Sequence, residues 1–237
     1  MYQVGPAAYY SIDVECVAIG TDHHSRAVGQ IALVDQYEQV ILDIVVKPDK
    51  PVVSYLTALT GLTQDIIESK GVTLANAVQQ LRSCLPADAV LVGQNILQDV
   101  QWLGLKEGTD FKSCLDLAGL YRVWNPRYSS YSVFRLYRVW NPRYSSYSVF
   151  SQDHLVKALL GWDLENSQHN AALDALKSIK LFNLYQQLQR DEQAWQQAQE
   201  RMLNAPPTLS FARTNPSYEG VCMGNRKTCT CGAAFFS

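Results

Sequence analysis

Ser11-Ile12-Asp13-Val14-Glu15-Cys16 is the stretch around which the rest of the chain is organised. Its β-branched residues alternate with acids, and this alternation predicts a β-strand. Because side chains alternate faces along a strand, Asp13 and Glu15 point to one side and the apolar residues to the other. Two such carboxylates form either a solvent-facing strand edge or part of a site for a hard cation such as Mg²⁺. The rest of the sequence decides between these by supplying further ligands or failing to.

The composition is that of an ordinary globular protein, with 47% hydrophobic and 18% charged residues in 237. No apolar run approaches the length of a membrane span, and residues 1–10 lack a secretory signal pattern. The net charge of −2 excludes a general electrostatic attraction to nucleic acid, so such binding needs a local patch or metal ions. Since the six cysteines form no disulfide framework, we expect an intracellular protein, either nuclear or cytoplasmic.

The order of predicted elements indicates the fold class. Strand-like segments at 28–34 and 40–46 follow the first strand and complete an antiparallel meander. Further downstream we predict strands at 89–92 and near 111–116, and helices ending at Ser69 and spanning 73–84, 96–103, 152–160 and 171–189. Thr63 or a near neighbour is the expected cap of the first of these helices, and Asn170 is a possible cap of the last. This order predicts an α/β fold with a mixed five-stranded sheet, three strands antiparallel and then parallel strands, covered by helices on both faces.

Residues 120–150 contain a tandem 16-residue duplication. The sequence Leu-Tyr-Arg-Val-Trp-Asn-Pro-Arg-Tyr-Ser-Ser-Tyr-Ser-Val-Phe occurs at 120–134 and again at 136–150, and is either genuine or a flaw in the gene model. We expect one copy to occupy a place in the fold and the other to form a loop. Region 117–152 has no acids, five arginines and ten aromatic residues. This composition suits either stacking on single-stranded bases or packing of the rings into the core.

The composition changes after Leu203, where proline, serine, threonine and asparagine predict a loop-rich tail. Cys222, Cys229 and Cys231 lie near its end. Three thiols are one ligand short of a closed structural zinc site, and their spacing is not that of a zinc finger. We therefore expect a reduced, partly disordered tail, with a zinc site as the less favoured alternative.

Three short patterns supply the missing ligands. Asp13-x-Glu15 is followed by Gly93-Gln94-Asn95 with Asp99, and then by His169-x-x-x-x-Asp174. Together they resemble the three exonuclease motifs of the DEDDh (DnaQ-like) 3′→5′ exonucleases. The Asp-Val-Glu-Cys pattern and Leu59-Thr60-Gly61-Leu62-Thr63 are most similar to the RNA exonuclease (Rex) branch. The resemblance covers about residues 8–188.

The resemblance implies a ribonuclease H-like fold and hydrolysis of phosphodiester bonds from the 3′ end of single-stranded nucleic acid, with RNA favoured over DNA. The implied metal ligands are Asp13, Glu15, Asp99 and Asp174. They would hold two Mg²⁺ or Mn²⁺ ions per active site, with His169 as the general base for the attacking water. The implied substrate contacts are Leu62, Gln94 and Asn95, although the family often has histidine in place of Gln94.

On this interpretation residues 1–190 form the exonuclease domain, and residues 191–237 form a polar helix end and the cysteine-containing tail. We expect no membrane partner, and the oligomeric state stays open. Two alternatives also stay open. One is a 3′→5′ DNA exonuclease on the same scaffold, since nothing in the sequence identifies a 2′-hydroxyl reader. The other is a catalytically silent nucleic-acid-binding or adaptor module in which the duplicated aromatic segment blocks or remodels the site.

Overall fold

The computed structural model describes residues 8–125, 146–148, 150–162, 168–225 and 227–231. Its central sheet consists of β1 (Tyr9–Ala18), β2 (Arg26–Asp35), β3 (Val40–Val45), β4 (Val90–Gly93) and β5 (Ser113–Asp116). The strand order is β3-β2-β1-β4-β5. The first three strands pair antiparallel, whereas β4 joins β1 in parallel and β5 joins β4 in parallel. The predicted mixed five-stranded sheet is confirmed.

Helices connect the strands and cover the sheet. Between β3 and β4 lie α1 (Thr57–Thr60), α2 (Gln64–Lys70) and α3 (Leu74–Cys84); α4 (Ile96–Trp102) connects β4 to β5, and α5 (Leu117–Leu120) follows β5. After a short hairpin of β6 (Val123–Asn125) and β7 (Ser146–Ser148) come α6 (Gln152–Leu155), a π-helical turn (Val156–Leu160), α7 (Ala171–Leu188) and α8 (Glu192–Asn204). The predicted helix over 152–160 is thus part α-helix and part π-helix. Helix α7 packs across β1 and β2.

The apolar residues of the opening strand anchor the sheet. Ile12 and Val14 are buried in one cluster with residues of α3 and α4, and Cys16 packs against that cluster. Burying side chains of this size removes apolar surface from water and is the main stabilising term for such a layer. The acids between them are therefore held on the opposite face, as the alternation predicts.

Side-chain caps fix where two helices begin. The Asn170 side chain accepts hydrogen bonds from the N–H groups of Ala172 and Leu173, at 3.1 and 3.2 Å. Thr63 accepts from the N–H of Ile66 at the start of α2. Both caps are confirmed, and the first places α7 so that its first turn meets the sheet.

The ends of the duplicated region are held by the β6–β7 hairpin, in which Val123 pairs with Ser148. Strand β6 comes from the first copy and β7 from the second. Tyr121 packs into the core, and its hydroxyl donates to the carbonyl oxygen of Leu181 at 2.6 Å. The predictions about residues 126–145, including the loop formed by one copy and the stacking of its rings, lie outside the described residues.

The tail is more regular than the sequence predicts. It contains α9 (Phe211–Thr214) and a hairpin of β8 (Ser217–Tyr218) and β9 (Val221–Cys222). Val221 is fully buried against Ala18 and Leu56. These partners are distant in sequence, which is why local composition gave no sign of the contact. Within the described part of the chain, every helix is too short or too polar to cross a membrane.

Candidate active site

The strand β1 and the start of α7 bring three polar side chains together. Glu15 is buried near the middle of β1, and Asp174 is buried in the first turn of α7. A carboxylate oxygen from each of them and a ring nitrogen of His169 all lie within 4.8 Å of one another. These residues, predicted from separate motifs, form one compact set of donor atoms.

Asp13 and Asp99 lie close enough to the other two acids for their charges to interact. Asp99 is 8% exposed in the first turn of α4, where Asn95 opens the helix with a left-handed φ of 58°. The charges of Asp99, Asp174 and Glu15 all raise the pKa of Asp13. All four predicted acids are therefore electrostatic neighbours, although Asp13 and Asp99 lie outside the three-residue donor set.

Burial and mutual repulsion disfavour ionisation of these acids. Burial, followed by the neighbouring charges, raises the pKa of Asp13 well above its ordinary value. Burial raises the pKa of Glu15 to about 8, with a further contribution from Asp174. Burial also raises the pKa of Asp99. A divalent cation would relieve this repulsion, and carboxylate oxygens are the ligands that Mg²⁺ and Mn²⁺ prefer, so the residues present fit such a metal.

Asp174 is the exception, because two basic groups contact it. His169 Nδ1 lies 2.8 Å from Oδ2, and Lys177 Nζ donates to Oδ1 at 2.7 Å. Burial alone would raise the pKa of Asp174, but these two contacts lower it. In return, the hydrogen bond to Asp174 raises the pKa of His169, with smaller contributions from the charges of Asp153 and Glu15.

Two residues of this network were not predicted from the sequence. The Lys177 side chain is 1% exposed and reaches both Asp174 and Asp153, the latter at 3.3 Å. Asp153 also lies 3.8 Å from Nε2 of His169. The position of Lys177, three residues after Asp174 on α7, is the signal that could have identified it, because such pairs share a helix face. Asp153 carries no comparable local signal.

A cavity of about 500 Å³ opens beside His169. Its lining includes Leu62, Gly61 and Asn170. Leu62 is only 4% exposed, because its side chain packs with Val17 and Ile67. Leu62, one of the predicted substrate contacts, therefore borders the cavity although most of its side chain belongs to the core. The backbone N–H of His169 donates to the Leu59 carbonyl oxygen at 2.7 Å, which ties the loop before α7 to α1.

Gln94 and Asn95 do not line this cavity. The Gln94 amide donates to the Phe150 carbonyl oxygen at 3.2 Å, and its buried Oε1 has no hydrogen-bond partner among the residues that the structure describes. The Asn95 amide donates to Gln98 at 2.7 Å. The structure thus brings Leu62 next to His169 and leaves the other two predicted substrate contacts on the α4 side.

The family model RNase_T, described as an exonuclease, matches residues 11–182. This chain belongs to the RNase_T exonuclease family. The matched range contains Asp13, Glu15, Asp99, His169 and Asp174. The DEDDh resemblance drawn from the three motifs is therefore confirmed at the level of the family.

Curated relatives align with about three quarters of this chain. Small RNA degrading nuclease 2 of Arabidopsis thaliana is 29% identical over 74% of this chain and 34% of its own length. RNA exonuclease 4 of Candida glabrata is 26% identical over 73% of this chain and 58% of its own length. The chain thus spans about a third to three fifths of these relatives.

Solved structures of Pan2 share its fold. The Pan2 catalytic unit of Neurospora crassa superposes with a TM-score of 0.63 at 17% identity, over 87% of this chain and 32% of that one. The Pan2 pseudoubiquitin hydrolase–RNA exonuclease module of Saccharomyces cerevisiae, solved with A7 RNA, gives a TM-score of 0.59 at 14% identity, over 84% of this chain and 32% of that one.

Proposed function

We propose that this chain is a divalent-metal-dependent 3′→5′ exonuclease that acts on single-stranded RNA. One observation carries the proposal: acids from β1, α4 and α7 share one poorly solvated volume with His169 at its edge. The related small RNA degrading nuclease and RNA exonuclease proteins support RNA as the substrate. We place the domain at residues 1–190 and the tail at 191–237.

Asp13, Glu15, Asp99 and Asp174 would hold two Mg²⁺ or Mn²⁺ ions. These ions would lower the pKa of the attacking water and stabilise negative charge on the scissile phosphate. The buried strand residues behind Asp13 and Glu15 fix both carboxylates in place, so little reorganisation is needed when the ions bind.

His169 would accept the proton of the attacking water. Its Nδ1 is hydrogen-bonded to Asp174, which orients the ring and leaves Nε2 as the nitrogen that takes the proton. Asp153, near Nε2, would stabilise the imidazolium that forms. Leu62 borders the cavity beside His169, and we assign this cavity to the terminal nucleotide of the substrate.

A time course on end-labelled oligonucleotides tests the proposed function. With Mg²⁺ or Mn²⁺, 5′-labelled single-stranded RNA should give a ladder that shortens one nucleotide at a time, while 3′-labelled RNA should release labelled mononucleotide at once. Chelator should abolish both, and a matched DNA oligomer should be degraded more slowly. Faster degradation of DNA would replace RNA by DNA as the substrate, and equal rates would contradict a preference for RNA. RNA binding without metal-dependent shortening would overturn the proposal in favour of a silent binding module.

A further inference from the structure

Three cysteines of the tail and a histidine of the β1–β2 loop form a second cluster of possible metal ligands. A ring nitrogen of His23 and the sulfurs of Cys222, Cys229 and Cys231 all lie within 4.8 Å of one another. The Cys222 and Cys229 sulfurs are 3.4 Å apart, and the Cys229 sulfur lies 3.3 Å from His23 Nδ1. The fourth ligand missing from the tail sequence is thus supplied from a loop 206 residues away.

We propose that His23, Cys222, Cys229 and Cys231 bind a structural zinc ion that fastens the tail to the β1–β2 loop. Three thiolates and one imidazole are a complete donor set for tetrahedral zinc, with no position left open for a substrate or water. Two sulfurs on such an ion, each about 2.3 Å from it, lie about 3.8 Å apart. The spacings around Cys229 are close to that value, so small side-chain movements would close the site.

The donor chemistry separates this cluster from the carboxylate site. Thiolates are soft ligands that favour zinc, whereas the acids around Asp13 are hard oxygen ligands suited to Mg²⁺ or Mn²⁺. The two clusters therefore select different ions. The zinc proposal does not depend on the proposed nuclease activity.

Neighbouring groups support the cysteine cluster as a ligand shell. The Gly224 N–H donates to the Cys222 sulfur at 3.4 Å, a hydrogen bond of the kind that orients a metal-binding side chain. Gly224 has a φ of +71°, and a Cβ there would lie 3.3 Å from the His23 ring. A larger residue would be strained in backbone and would crowd the histidine ligand.

Arg26 ties the two ligand-bearing segments together. Its guanidinium donates to the carbonyl oxygens of Asp22 and Cys222, each at 2.8 Å. The Cys222 N–H also donates to the Thr21 carbonyl oxygen at 2.8 Å. A zinc ion with three thiolates and a neutral imidazole carries a net charge of −1, which the nearby guanidinium offsets.

The position of the cluster indicates what zinc would stabilise. Val221, next to the ligand Cys222, is fully buried against Ala18 at the end of β1 and Leu56 before α1. Ser54 donates to the Glu219 carboxylate on the same hairpin. Zinc would therefore hold the tail against the segment that leads into Leu62 and the cavity beside His169.

Metal analysis of the full chain tests the site directly. Protein purified from zinc-supplemented medium under reducing conditions, and then dialysed without chelator, should retain about one zinc per chain. Cys229→Ser and His23→Ala should reduce zinc to background, whereas His23→Cys should retain it because four thiolates also bind zinc. Cys84→Ser, which removes a half-buried cysteine elsewhere, and Asp13→Asn, which alters the carboxylate site, should both keep the ion.

A spectroscopic measurement on the unaltered chain covers the case in which a variant fails to fold. Replacement of zinc by Co²⁺ should give thiolate-to-cobalt charge-transfer absorption and the visible bands of tetrahedral cobalt. Wild-type protein without zinc, zinc retained in both Cys229→Ser and His23→Ala, or octahedral cobalt spectra would overturn the proposal. A disulfide between Cys222 and Cys229 in protein purified under reducing conditions would also overturn it.

Discussion

Glu15 illustrates how a buried acid couples the stability of the fold to pH. Burial and the charge of Asp174 raise its pKa from an ordinary 4.5 to about 8. The folded protein without metal therefore binds a proton that the unfolded chain releases at lower pH. The contribution of this proton to the free energy of unfolding is fully present below the unfolded pKa of Glu15, 4.5, and is lost as pH rises towards about 8. The raised pKa of His169 acts in the same direction, since its protonated form is the one stabilised in the fold.

We therefore predict that the melting temperature of chelated protein falls between about pH 5 and about pH 8. Mn²⁺ or Mg²⁺ should reduce this dependence, because a cation replaces the proton in stabilising the acids. Glu15→Gln should weaken the dependence, whereas Glu200→Gln, an exposed control on α8, should leave it unchanged. Thermal unfolding followed by circular dichroism measures this. The same pH dependence in Glu15→Gln and in the wild type would contradict the prediction.

At the scale of elements, the start of α7 connects local helix chemistry to the site. Asn170 caps the helix between His169 and Asp174. Asn170→Ala should lower stability by about 1 kcal/mol, or about 2–4 °C in melting temperature for a chain of this size, and should also reduce nuclease activity. Thr73→Ala removes a comparable cap from α3, away from the site. It should lower stability and leave activity unchanged. Equal activity losses in the two variants would show that the cap has no special role in the site.

The duplicated segment offers a second prediction at this scale. The β6–β7 hairpin takes its first strand from one copy and its second strand from the other. Deletion of residues 126–141 leaves Pro142-Arg143-Tyr144-Ser145 between the two strands, a length common in β-hairpins. We expect the shortened protein to fold with an unchanged melting temperature and to keep its activity on short RNA. Insolubility or a large loss of stability would show that the second copy is part of the fold.

For the whole molecule, the features that could be predicted from the sequence are those encoded by a local pattern or by a complete set of motifs. The alternation in the opening strand, the Asn170 cap and the helical spacing of α7 are local signals, and each matches the structure. Lys177 and His23 were not predicted, because their significance depends on partners that only folding brings near. The π-helical turn after α6 was not predicted either, because its apolar spacing resembles that of an ordinary helix.

We propose that the acids around Asp13 form the metal site of a 3′→5′ exoribonuclease. The rate of shortening of 5′-labelled single-stranded RNA at saturating Mn²⁺, measured for wild type, Asp13→Asn and the exposed control Asp65→Asn, tests this assignment. All three proteins are first shown to be folded by circular dichroism. We predict metal-dependent shortening from the 3′ end in wild type and Asp65→Asn, and a loss of at least about a hundredfold in Asp13→Asn. Undiminished shortening by Asp13→Asn would contradict the account.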